Sequence, residues 1–466
     1  MVGVKKSLLS LVVSLLIGAI LARVPLLLQS MWYDEAFTVW LAGLPWAQLV
    51  DATAGDVHPP AWYFLAKSVT SAGGGIYAIR ILTLLLGLGA IGLTYQVLKD
   101  LGVPESVRWL AVWLACLSPF LAYYSAEARM YSLLLYVILL AVYNAQNGYG
   151  FPFGLSLLLG ALTQNMFFLY VPFIGWIAWQ KMHWKSVAWA MGAGVVYSVI
   201  WLPQFLGQLQ NVTSAYWIPG LTPGRVVYTL YTMLAGPGHH ETIIFITAPV
   251  LLLFVLAGAI IAWQNNAWNV LLLAFGPIVL GVVASILLKP VIIPRVMIGC
   301  VPFLLALIAW AQRDLLRRLG QWSILPLSAV LLVALFSLYL FPNRTNWNEV
   351  YNQVPVQSGD TCYHLNASSL ITTRYIFPEC NHYLWPAEHD LAQSITQQTK
   401  TAMGIQQSNI DDLSGPVWLF HCDGPHVEGM EYAEQHRILD AYSPKQSLKL
   451  NDHPIANTMV WRITVQ

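Results

Sequence analysis

The sequence predicts a mainly α fold, a polytopic transmembrane helical bundle that carries a small C-terminal α+β domain. Three observations point there. Of the 466 residues, 57% are hydrophobic and only 10% are charged, with a mean hydropathy of +0.59. A soluble domain carries roughly 25% charged residues, so a chain this poor in charge must turn most of its surface to lipid. Apolar runs of about 20 residues, the length that crosses a bilayer as a helix, recur along the first three quarters of the chain. Finally, 20 Trp and 22 Tyr suit interfacial belts, where amphipathic rings sit at headgroup level.

Taken in order, about eleven runs meet the bilayer ruler. They centre on residues 8–28, 76–98, 107–124, 130–146, 151–163, 166–180, 187–203, 243–263, 267–288, 295–310 and 322–341. Lys5 and Lys6 precede the first run, which is longer than a signal-peptide core and closes on no small-residue cleavage site. It therefore reads as an uncleaved first span. The fifth and sixth runs are short and meet near Gln164-Asn165. Residues 59–69 are apolar but too short to span, and read as an interfacial helix, with a second over residues 35–49.

From Asn343 the composition turns polar, and the runs Val417-Trp418-Leu419-Phe420 and Met459-Val460-Trp461-Arg462 read as strands. The expected division is a membrane domain over residues 1–341 and a C-terminal domain over residues 342–466, about 120 residues and long enough for a core. The net charge of +1 and the lack of a basic run speak against a nucleic-acid partner. Cys116 and Cys300 lie in apolar runs. Cys362, Cys380 and Cys422 lie in the tail, where two can pair on an oxidising side. No Cys/His cluster suggests zinc.

Basic residues set the orientation. With the N-terminus inside, cytoplasmic connections hold Lys5, Lys6, Lys99, Arg108, Lys181, Lys185, Arg313, Arg317 and Arg318, against Asp100, Glu105 and Asp314. That direction obeys the positive-inside rule and places the C-terminal domain outside. The same alternation puts Asp34, Glu35, Asp56, His58, Glu127, Arg129, His239, His240, Glu241, Lys289 and Arg295 on one face, whichever side that face is.

Four constellations on that face can carry chemistry. Met31-Trp32-Tyr33-Asp34-Glu35 follows the first run. Two adjacent carboxylates beside an apolar surface repel each other and lose hydration, which suits one of them to general-base work or to a divalent metal. The plain alternative is that Asp34 caps a helix beginning at Glu35. Asp56-Val57-His58-Pro59-Pro60 comes next, where the prolines hold His58 for a phosphate or metal, or simply form a turn with a solvated His. Ser125-Ala126-Glu127-Ala128-Arg129-Met130-Tyr131 sets charge close to hydrocarbon, which is costly unless functional or self-paired. Arg129 offers a fork that matches phosphate, and Tyr131 can donate to the same oxygens. Lys289-Pro290-Val291-Ile292-Ile293-Pro294-Arg295 brackets an apolar turn with two cations, a clamp for an anionic headgroup or a pair of snorkelling ends. His239-His240-Glu241 and Arg225 carry weaker signals.

In this order and combination, Trp-Tyr-Asp-Glu, Asp-x-His-Pro-Pro, Glu-x-Arg-x-Tyr and a late Pro-Arg resemble the GT-C superfamily. The nearest likeness is to glycosyltransferase family 39 and its protein O-mannosyltransferase and lipid A aminoarabinose transferase relatives. The resemblance covers about residues 1–341. It implies a multi-helix bundle with interfacial helices in the first outer loop, and an active site on the extracytoplasmic side of the plasma or inner membrane. It also implies inverting transfer of a single sugar from a polyprenyl-phosphate donor to a lipid, glycan or protein acceptor. Asp34 then matches the catalytic base, Glu35 the neighbouring acid, and Arg129 and Arg295 the carrier-phosphate arginines, with His58, Glu127, Tyr131 and Lys289 in supporting binding positions. The chain departs from its relatives at Arg295-Val296, where many have Arg-Tyr, and at His58, where the lipid A transferases have lysine. No cofactor is implied, although a divalent metal at Asp34, Glu35 or His58 is compatible with the residue types.

Three rivals stand beside this reading, and one of them, an oligosaccharyl- or phosphoryl-type transferase of similar architecture, moves a larger group and would prefer a lipid-linked oligosaccharide to a single-sugar donor. A transporter or flippase of a lipid-linked saccharide would gather charge at the bilayer midplane on related halves, whereas here charge gathers at one interface and no repeat is visible. A scaffold displaying the tail gives no reason for four charged constellations to share a face.

Overall fold

In the computed structural model, residues 13–181, 183–214, 218, 220–238, 241–340, 353–386, 395–423, 448–449 and 457–465 are described. They fall into two compact units. One comprises the described residues of Met1–Leu28, Tyr77–Leu202 and Ile218–Pro342; the other comprises those of Gln29–Ile76, Pro203–Trp217 and Asn343–Gln466.

The first unit is a bundle of apolar helices. Among the described residues, four helices are long and apolar enough to cross a membrane: Ile76–Asp100, Ile243–Gln264, Trp268–Leu287 and Pro294–Leu319. Counting each of two bent helix pairs as one span raises that number to six, and shorter apolar helices include Val13–Leu27, Gly150–Thr163 and Ile324–Leu340. These helices define an integral membrane protein. The run expected near Gln164 divides as Gly150–Thr163, a short 3-10 segment Asn165–Leu169, and Val171–Gln180.

The helix Val301–Leu319 is the core of this unit, and every residue from Val301 to Gln312 is buried. Its neighbour Glu241–Gln264 approaches so closely that a Cβ on Gly258 would lie 1.9 Å from the Leu307 carbonyl oxygen. Small residues let backbones meet in this way where lipid gives no hydrophobic drive to association.

One span is broken. Glu105–Leu117 and Pro119–Ser125 meet at 57°, because Pro119 lacks an amide hydrogen and cannot continue the helical ladder. Carbonyls released by such a break must find donors, since hydrocarbon offers none. Arg23 supplies them. Its guanidinium donates to the carbonyls of Cys116 at 2.9 Å and Ala115 at 3.3 Å, and the residue is fully buried.

The second unit joins three helices of the first loop to the tail. They are α1 (Tyr33–Gly43), α2 (Trp46–Gly55) and α3 (Ala61–Ser71). The interfacial helices expected over residues 35–49 and 59–69 are thus three, because Pro45 and the 56–60 segment divide the stretch. Phe37 meets Tyr63 edge-on at 6.1 Å, and Trp46 meets Phe64 at 5.6 Å. Lys67 and Thr70 of α3 donate to carbonyls at the end of α1, Lys67 to Ala42 and Leu44 and Thr70 to Ala42. A cation there also complements the helix dipole.

The tail holds β1 (Thr361–His364), α4 (Ala367–Ile376), β2 (Asn381–Leu384), α5 (Gln397–Met403), β3 (Gln406–Gln407), β4 (Gly415–Asp423), β5 (Leu448–Lys449) and β6 (Asn457–Val465). The sheet order is β3-β2-β1-β4-β6-β5, with β1 parallel to β2 and β4 and β6 antiparallel to β4. Alternation sends Tyr363, Val417 and Leu419 to one core and Cys362, Trp418 and Phe420 to the other. Cys362 and Cys380 are free thiols, and the side chain of Cys422 lies outside the described residues.

Candidate functional site

In the first unit, the break at Pro119 leads into a tight turn over residues 126–130, where the Arg129 amide donates to the Glu127 carbonyl at 2.7 Å. Glu127, Arg129 and Tyr131 are 0%, 2% and 1% exposed. Charged groups this buried in a membrane unit are candidates for function. The rings of Tyr123, Tyr124 and Tyr131 stack edge to face, with centroids 5.1 Å and 5.0 Å apart along the series. The Arg295 guanidinium carbon lies 5.8 Å from the Tyr131 centroid, within cation–π range. Glu127 and Arg295 both act electrostatically on Tyr124. Glu127 and Arg295, far apart in the sequence, therefore meet at one tyrosine cluster.

Arg295 opens the 3-10 segment Pro294–Cys300 and is partly exposed. The turn before it is tied by the Ser285 hydroxyl, which accepts from the Val291 amide at 2.9 Å, while the Tyr170 hydroxyl holds the Val296 carbonyl at 2.9 Å. Lys289 is exposed at the near end of that turn. A cavity of about 280 Å³ runs beside it, lined by Arg225, Tyr228 and Thr229 together with Ile292, Ile293 and Pro294. Arg225, weakly marked in the sequence, thus borders the same turn. His239 and His240 lie outside the described residues.

In the second unit, Asp34 and Glu35 occupy the first turn of α1, where the helix dipole favours carboxylates. The N-cap is Trp32, so Asp34 is not the capping residue. Glu35 is fully buried and Asp34 is partly exposed, which separates the pair into an inner and an outer carboxylate. Beyond α2, His58 Nδ1 lies 2.9 Å from Asp56 Oδ2, and Asp56 is buried. His58 is therefore held by a carboxylate instead of being a solvated turn residue. With Nδ1 engaged, the Nε2 edge faces outward from the pair. Asp56 is the group that motif reading undervalued, and the two-residue spacing before the prolines is the signal that could have found it. Among the described residues, no three His, Cys, Asp or Glu side chains come together as a metal cage.

No family model and no curated protein sequence matches the chain. Among solved structures, the chain is similar to ArnT from Cupriavidus metallidurans in the apo state, with a TM-score of 0.55 at 11% identity over 98% of both chains. It is similar to ArnT from the same organism bound to undecaprenyl phosphate, with a TM-score of 0.52 at 11% identity, again over 98% of both. At this identity the likeness is one of fold, and it extends through the tail. The chain shares the overall fold of these two structures.

Proposed function

We propose that this chain is an integral membrane glycosyltransferase that moves a single sugar from a polyprenyl-phosphate carrier to a hydroxyl of a lipid, glycan or protein acceptor. The observation that carries this reading is the burial of Glu127 and Arg129 in the membrane unit of a fold shared with ArnT, at 0% and 2% exposure. Buried charge is costly in such a unit, and a phosphate-bearing substrate explains its retention.

In this reading, Asp34 takes the proton of the acceptor hydroxyl while that oxygen forms its bond to the anomeric carbon. The bond from the anomeric carbon to the phosphate oxygen breaks with inversion, and the polyprenyl phosphate leaves as an anion. Base catalysis of this kind contributes about 10²–10⁴-fold. Arg129 and Arg295 steady the growing phosphate charge, with Lys289, His58 and Tyr131 in supporting contact. Glu35 and Glu127 orient the groups beside them. The undecaprenyl phosphate bound by ArnT supports a carrier of this class. The bilayer-length apolar runs support about eleven spans within residues 1–341, and the basic-residue asymmetry supports an extracytoplasmic site and an extracytoplasmic tail from residue 342.

The test is transfer of a labelled sugar from synthetic polyprenyl-phosphate donors by the purified protein in lipid nanodiscs. Asp34→Asn abolishes transfer while the protein stays monodisperse, and Arg129→Ala loses carrier affinity. Retained turnover in Asp34→Asn removes it as the base. Donor translocation across vesicles without transfer would replace the reading with a flippase.

A further inference from the structure

The end of α2 is held from outside its own segment. The last carbonyls of a helix lack partners within it and must be met elsewhere. Here the Thr399 hydroxyl donates to the Ala52 carbonyl at 2.9 Å, the Gln208 amide to Thr53 at 2.9 Å, and the Thr396 hydroxyl to Gly55 at 2.8 Å. Gln398 adds a bond to the Asp51 carbonyl at 3.2 Å. Three of these four donors belong to α5 and its N-cap, in the tail.

Glycine at position 55 makes this fit. A Cβ there would lie 2.7 Å from the Thr399 hydroxyl oxygen and 3.0 Å from both the Gln398 Cβ and the Thr396 hydroxyl oxygen. The next residue is Asp56, whose amide donates to the same Ala52 carbonyl that Thr399 engages and whose carboxylate holds His58. The tail grips the neighbouring helix too, since the Arg374 guanidinium of α4 stacks 4.2 Å over the Trp40 ring of α1, the helix that bears Asp34 and Glu35.

We propose that the C-terminal domain is a positioning brace for the acid-bearing loop, with Thr396 and Thr399 as positioning residues that fix the Asp56–His58 pair through the end of α2. This rests on the transfer reading above, because positioning has meaning only for a reaction. Displacement of a reacting group by about 1 Å is enough to cost up to about 10²-fold in rate. A hydroxyl-to-carbonyl clamp one residue from the pair controls displacements of that size.

The experiment uses the full chain in nanodiscs. Thr399→Val keeps the shape of the side chain and removes the donor, Thr399→Ser keeps the donor, and Gly55→Ala pushes the clamp away by its added methyl. Two quantities are read: transfer kinetics, and hydrogen exchange of peptides covering residues 52–58 against those covering β1 and β4. Thr399→Val and Gly55→Ala are expected to lower kcat by about tenfold or more with KM for the carrier within about twofold. Exchange over residues 52–58 should rise while β1 and β4 stay protected, and Thr399→Ser should restore both. Unchanged exchange in Thr399→Val overturns the clamp. Faster exchange with unchanged kcat overturns its positioning role. If the wild-type chain transfers no sugar, the transfer reading has failed, and exchange over residues 52–58 alone then reports whether the contact exists.

Discussion

Acidification should open the tail sheet, and the size of the effect follows from two buried histidines. His364 Nε2 lies 3.0 Å from His382 Nδ1, and His382 Nε2 lies 2.8 Å from the Phe377 carbonyl oxygen. That carbonyl can only accept, so His382 carries its proton on Nε2, and its Nδ1 accepts from His364. Protonating His382 forces the His364 proton to Nδ1, a buried atom with no partner among the described residues. Burial lowers His382 from an ordinary 6.5 to about 4, and burial followed by its neighbour holds His364 well below 6.5. Both groups are neutral above pH 6.5 in either state, so they leave stability unchanged there. As pH falls through 6.5 each histidine of the unfolded chain binds a proton that the folded one refuses, so stability declines, and the His382 share of the decline ends near pH 4. At about 1.36 kcal/mol per pH unit, His382 alone costs about 3 kcal/mol across that window. The alkylation rate of buried Cys362 in β1, divided by that of an unstructured cysteine peptide at each pH, reads the opening of the sheet. Protection should fall by about a hundredfold or more from pH 7 to pH 4.5, since His364 adds to the His382 share. His382→Gln should flatten much of that slope. Protection independent of pH in the wild-type chain would refute the reasoning.

Other substitutions test the packing. Arg23→Leu leaves the Ala115 and Cys116 carbonyls without their donor in a buried setting and should cost about 2–5 kcal/mol, read as a lowered Tm of the detergent-solubilised protein. An unchanged Tm would mean the break is satisfied elsewhere. Gly258→Ala drives a methyl into the Leu307 carbonyl and should cost about 3 kcal/mol or more, seen as loss of monodisperse protein, whereas Gly18→Ala, with open space at its Cβ, should behave as wild type. Burial pushes the Cys362 and Cys380 thiols up, but Cys380 is partly exposed, so native alkylation should mark Cys380 before Cys362. Equal rates would contradict the described burial.

Hydropathy and short motifs made much of this molecule legible. Residues 59–69 announced a helix too short to span a bilayer, and a helix runs there over Ala61–Ser71. Short runs rich in β-branched and aromatic residues marked Val417–Phe420 and Met459–Arg462, which pair as β4 and β6. Long-range pairing was not legible. Nothing in a lone Arg23 reveals that its acceptors arise from a proline break downstream. Thr396 and Thr399 are ordinary polar tail residues until their hydroxyls are seen on carbonyls 341 and 347 positions away. His364 and His382 become neighbours only through the parallel register that sets Cys362 against His382. At the candidate site, motif order pointed to Glu127 and Arg129, which are buried, whereas the holding of His58 by Asp56 needed three dimensions.

Arg23 also sets a problem of timing for synthesis. Its acceptor on Cys116 lies 93 positions further along the chain, so the ribosome completes the guanidinium long before the carbonyls that will hold it exist. Until the bent helix arrives, that charge has only the Ala19 carbonyl of its own helix, water and lipid headgroups to solvate it. The opening helix must therefore wait high in the interface and settle to its final depth late, drawn down by the segment whose break it repairs.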